Sequence, residues 1–86
     1  MIIRKKCWPE WFDKILSGEK NYDLRLADFE VKSGDTLILE EWDPKLKKYT
    51  GRNIAKEVTY VGKTKNQKWW SQEDVDKYGF AIMSLK

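Results

Sequence analysis

The 86-residue chain has no histidine, one cysteine (Cys7) and two prolines. Without histidine there is no imidazole metal ligand, no Ser-His-Asp triad and no Cys-His dyad. Any catalysis must use Lys, Asp, Glu, Tyr, Thr, Ser or the lone thiol. One cysteine permits neither an intrachain disulfide nor a thiol-rich metal site. Cys7 reads as a small buried hydrophobe, because a thiol without a basic partner is a poor nucleophile. No apolar run approaches the ~20 residues that span a bilayer, and the N-terminal stretch lacks the pattern of a signal peptide. The expectation is a cytoplasmic protein with no membrane association, no metal and no cofactor. Arginine is also scarce. Only Arg4, Arg25 and Arg52 stand among 17 basic residues, and lysine favours diffuse phosphate attraction over bidentate base reading.

Against these absences the chain holds five Trp, four Tyr and three Phe, with 14 acids and a net charge of +3. A chain of this size buries only roughly 60–65% of its unfolded surface, so bulky side chains must do much of the packing. One domain, residues 1–86, is expected. The mild basicity permits a polyanionic partner without demanding one.

Met1–Trp8 reads as a first strand. Pro9 suits a first helical turn, and Trp11, Phe12, Ile15 and Leu16 form an apolar stripe, with Trp11 and Phe12 in the core. Gly18 is placed to end that helix. Asn21–Leu26 reads as a strand, Ser33-Gly34-Asp35 as a turn, and Thr36–Trp42 as the clearest strand. A polar loop begins at Asp43-Pro44, and Tyr49–Gly51 is expected to turn. Arg52–Gly62 reads as a long strand with Ile54, Lys56, Val58 and Tyr60 on one side. Ser71 caps a second helix that Gly79 stops, with Asp74 three residues on from the cap. Phe80–Leu85 reads as a final strand. The fold class is α+β, mainly β: a small, mostly antiparallel barrel with two short helices.

Lys20, Asp23 and Arg25 converge just after the glycine turn. Alternation sets Tyr22, Leu24 and Leu26 on one face of their segment and Asp23 and Arg25 on the other. From pattern alone this cluster is either a surface ion pair or a site that holds a phosphate or polarises a carbonyl. Trp69 and Trp70 follow Lys63, Lys65 and Lys68. They serve either as stacking platforms for bases or as plugs for a small barrel. Trp8 and Trp42 are candidates for the mouth of a cleft. Arg52 either points into that cleft or pairs with Glu41.

The run GEKNYDLR (residues 18–25) resembles the G-x-K-x-x-E-x-R signature of ASCH domains, small β-barrels of the PUA-like superfamily. VKSGDTLIL is similar to that family's turn and barrel strand. EWDPKLKKYTGRNIAKEVTYV and GFAIMSL resemble a short, mainly prokaryotic branch, so the likeness covers residues 2 to 85. The resemblance implies a cleft between barrel and first helix, and an RNA-linked role. Gly18 matches the turn, Lys20 the lysine and Arg25 the arginine, while Asp23 stands where the signature has Glu. Some short members are amidohydrolases of 4-acetylcytidine, with a Thr nucleophile at the position of Asp23. This chain lacks that nucleophile. Other members have been proposed to cleave RNA.

The function expected is binding of single-stranded RNA, or of a nucleotide within it, through Lys20, Asp23, Arg25, Trp8, Trp42, Arg52, Trp69 and Trp70. One alternative is a metal-independent hydrolase of a modified nucleoside or RNA that uses Lys20 and Asp23. The other is a protein-interaction module in an RNA-processing assembly.

Overall fold

A computed structural model describes all residues, Met1–Lys86. Five elements follow in order: β1 (Ile2–Cys7), α1 (Pro9–Ser17), β2 (Thr36–Asp43), β3 (Lys48–Glu57) and α2 (Gln72–Tyr78). They make an α+β fold around one three-stranded sheet of order β1-β2-β3. β1 runs parallel to β2, and β2 antiparallel to β3. A parallel pair needs a crossover. Here α1 and residues 18–35 provide it, and α1 lies against β2.

Pro9 opens α1 with its fixed φ, and Gly18 closes it at φ 86°, where a side chain would be strained. Phe12 and Ile15 face the sheet and join Cys7 and Leu39 in the core, with Leu37 and Ile54 packed around them. Trp11 and Leu16 lie outside that core and are about half exposed. The expected stripe was too wide, because a nine-residue helix on a three-stranded sheet presents only one i, i+3 ridge.

Two buried carboxylates fix the geometry around this core. Asp35 holds the turn before β2: its carboxylate accepts from the Lys32 amide at 2.9 Å and from the Met1 amino nitrogen at 3.1 Å. The backbones of Gly34 and Asp35 exchange hydrogen bonds with Val58, which ties the turn to the chain leaving β3. Glu41 lies at a register shift in the β2–β3 pair. Glu40 faces Asn53 and Trp42 faces Tyr49, so Thr50, Gly51 and Arg52 bulge opposite Glu41. Gly51 takes φ 95° there. Both its neighbours deliver side chains to Glu41: the Thr50 hydroxyl donates to Oε1, and Arg52 donates Nε to Oε1 at 2.9 Å and Nη2 to Oε2 at 2.6 Å.

Tyr49–Gly51 is therefore a bulge inside β3 and not the expected turn. The reversal falls at 44–47, where Asp43 Oδ1 accepts from the amides of Lys45 and Leu46. β3 ends at Glu57, since residues 58 and 59 bond to the 33–35 turn. Asn21–Leu26 and Phe80–Leu85, both expected as strands, lie outside the sheet and form no regular secondary structure. In the first, Arg25 bonds to Asp23 and to the Lys6 carbonyl, so a side chain takes the place of a ladder. Ser71 caps α2 as expected, accepting from the Asp74 amide at 3.1 Å. No residue of α2 is buried. The radius of gyration is 14.8 Å, against roughly 12 Å for a compact chain of this length.

Gly51 has open space where a Cβ would stand, so Gly51→Ala meets only backbone strain. The expected loss is about 1–2 kcal/mol of unfolding free energy, measured by urea titration.

Candidate functional site

Between the sheet and the crossover segment lies a cavity of about 410 Å³. Leu37 and Leu39 of β2 and Ile15 of α1 form part of its apolar lining, residues 20–31 form one wall, and residues 56–63 form the other. The wall after β3 is held in place by the bonds from Gly34, Asp35 and Ser33 to residues 58 and 59. The cavity therefore depends on the turn that Asp35 organises.

Lys20, Asp23 and Arg25 all line it. Gly18 turns the chain off α1, and the Lys20 amide donates back to the Lys14 carbonyl at 3.0 Å. The Lys20 ammonium stands 4.9 Å from the Tyr22 ring centroid and 5.4 Å from that of Trp11. Asp23 and Arg25 are largely covered, while Leu24 and Leu26 are mostly exposed, although Leu26 still lines the cavity. Arg25 is held on two sides. Its Nε donates to Asp23 Oδ2, and its Nη2 to the Lys6 carbonyl at 2.6 Å.

Lys56 and Lys63 add two cations to the lining, Glu57 adds a carboxylate, and Tyr22, Phe29 and Tyr60 add aromatic rings. The alternation expected over 52–62 set Lys56, Val58 and Tyr60 beside Ile54, but the far wall takes every residue from 56 to 63 and not Ile54, so that pattern does not select it. Four cations thus face two carboxylates, and the field in the cavity favours an anion.

The other candidates stand elsewhere. Trp8 precedes α1, where its carbonyl accepts from the amides of Trp11 and Phe12. Trp42 packs edge-on to Tyr49 at 5.0 Å and lies under the Lys6 ammonium at 3.8 Å. Trp69 and Trp70 touch each other, and Trp70 also meets Phe80 at 5.6 Å. Arg52 pairs with Glu41, reaches Asp13 at 2.8 Å and lies over the Phe12 ring. None of these five lines the cavity.

Beneath the site Cys7 is buried, and burial pushes its thiol pKa up, with the Asp23 charge adding to the rise. No three metal-ligating side chains cluster together, and no helix is long and apolar enough to cross a membrane.

A family model described as a domain of unknown function (DUF3850) matches residues 4–85. The chain belongs to this DUF3850 family. It is also similar to a curated protein of Escherichia phage P2, described as an uncharacterized 12.9 kDa protein in the GpA 3' region. The two are 38% identical over 60 residues, which cover 70% of this chain and 53% of the phage protein. The match thus spans about half the length of that relative. No solved structure matches.

The hydrogen bonds from Arg52 hold the Glu41 carboxyl below the usual glutamate range, against the opposing effect of burial. A lowered folded-state value adds stability that is complete above the ordinary value of about 4.5 and is lost as pH falls toward the depressed one. Glu41→Gln is expected to lower the melting temperature at pH 7. Its decline on acidification below about pH 4.5 is expected to be shallower than that of the wild type, as read by thermal melts across pH.

Proposed function

We propose that this DUF3850 domain binds single-stranded RNA, or a nucleotide within it, in the cavity at Lys20, Asp23 and Arg25. The observation that carries the reading is a concave site of about 410 Å³ that combines an excess of cations with aromatic rings. Small-molecule sites run from roughly 300 to 1,000 Å³, so a nucleoside and its phosphate fit this volume. Arg25 reaches the site already oriented by Asp23 and the Lys6 carbonyl, so little side-chain freedom is lost on binding. It would take a phosphate together with Lys20. Asp23 keeps Oδ1 unbonded while Arg25 holds Oδ2, and that oxygen would accept an exocyclic amine. Tyr22, Phe29 or Tyr60 would stack the base. The resemblance of residues 18–25 to the ASCH signature supports the same placement.

The resemblance also supports a finer fold than the three-stranded sheet. In this proposal Asn21–Leu26 and Phe80–Leu85 close the sheet toward a mostly antiparallel, PUA-like barrel. The exposed side chains of Ile82, Met83 and Leu85 supply apolar surface for such closure. Amide hydrogen exchange tests it. Closure predicts protected amides across Phe80–Leu85, whereas exchange at the rate of a free chain rules it out.

Trp11 is the tryptophan placed to report on Lys20. Fluorescence titration with short single-stranded RNA at two salt concentrations is expected to show quenching that weakens with salt. Arg25→Ala should weaken binding about tenfold or more, the scale of one charged hydrogen bond, with the domain still folded. Equal affinity in mutant and wild type would remove Arg25 from the site. Turnover of an acetylated nucleoside or of the RNA would favour the hydrolase reading instead.

A further inference from the structure

The nucleotide-binding reading above leaves open how much of a strand the site holds, and a second cavity bears on that. It is shallower, adjoins the first, and is lined by Lys5, Leu24, Arg25, Leu26, Asp28 and Phe29. Arg25, Leu26 and Phe29 line both cavities and so form the partition between them. Lys5 belongs to the second cavity and not to the first. It sits on β1 beside Leu39, and its ammonium lies 3.8 Å from the centroid of the Phe29 ring.

Arg25 is the cation on the partition. A guanidinium carries five N–H donors, and Asp23 and the Lys6 carbonyl take one each, so three remain for a ligand. A mononucleotide confined to the larger cavity would use Arg25 and make no call on Lys5. A strand that crosses the partition would bring its internucleotide phosphate over Arg25, with Lys5 on the far side. The second cavity holds one lysine and one carboxylate of its own, Asp28. That balance suits a neutral nucleoside joined through a singly charged phosphodiester and disfavours a second doubly charged phosphate.

We infer that the ligand is a strand of at least two nucleotides. Adjacent nucleosides occupy the two cavities, and the phosphodiester that joins them rests on Arg25 and Lys5. Lys5 is thereby a length-reading residue.

Calorimetric titration with the four nucleoside 5′-monophosphates and the four homodinucleotides tests this. Wild type is expected to bind a dinucleotide about tenfold or more tightly than the matching mononucleotide, the scale of one charged hydrogen bond. Lys5→Ala and Lys5→Gln should each abolish that gain and leave mononucleotide affinity within about twofold, which also reports that the fold is intact. They should lower the salt slope for the dinucleotide by about 0.7, the value of one phosphate contact on a single strand. Lys5→Arg should restore the gain. Equal affinity of wild type for both lengths, or a gain that survives both Lys5 variants, overturns the inference and leaves the nucleotide site standing. Binding of neither length overturns the nucleotide site, and the inference with it.

Discussion

Glu41 is a carboxylate sealed between sheet and helix, and such a charge is tolerated only when it is paired and hydrogen-bonded. The partners that answer it come from β3 and sit either side of Gly51, so the bulge exists to bring Thr50 and Arg52 to one point. Arg52 continues outward to Asp13 and lies across Phe12. The Arg52–Glu41 pair, extended to Asp13 by a second ion pair, therefore joins β2, β3 and α1 beside a core of four buried residues. In so small a core, removing one partner of the pair would leave an unanswered charge with few apolar contacts to compensate for it.

The cavity follows from that frame. With α1 fixed on the sheet, the chain leaving Gly18 passes along the near side of the opening. The chain leaving β3 is pinned to the 33–35 turn on the far side. Asp35 and Glu41 are both buried carboxylates: Asp35 organises the turn that pins the far wall, and Glu41 holds the bulge of β3. The cations that face the opening then need no scaffold of their own. Arg25 is already held by two acceptors.

Several local features were legible because local rules govern them. Pro9 and Gly18 bound α1, Ser71 caps α2, and the β-branched and apolar run in β2 forms a strand. Asp23 and Arg25 pair as a two-residue alternation predicts, but Lys20 is of the other parity and lines the same cavity with Tyr22 and Leu26, which alternation does not explain. What failed depends on long-range pairing. Gly51 carries the positive φ of a turn, and sequence alone does not say that it will be spent on a bulge beside a buried acid. The parallel partner of β1 lies 34 residues away in register, Ile2 with Thr36, beyond the reach of any local pattern. The tryptophans misled for a related reason. Their size predicts that they will touch something, not which surface they will share, and Trp8, Trp42, Trp69 and Trp70 all stand apart from the cavity.

In residues 22–26 the side chains of Asp23 and Arg25 are largely covered while those of Leu24 and Leu26 stay mostly exposed, the reverse of what burial energetics alone would select. In the unfolded ensemble Leu24 and Leu26 are hydrated much as they are here, so folding gains little from them. Asp23 and Arg25 meanwhile give up water for each other. The segment is thus a place where stability has been conceded. Laboratory selection for thermal stability alone would be free to reverse that orientation, and the robust domains it produced would be the ones that had lost the cavity wall.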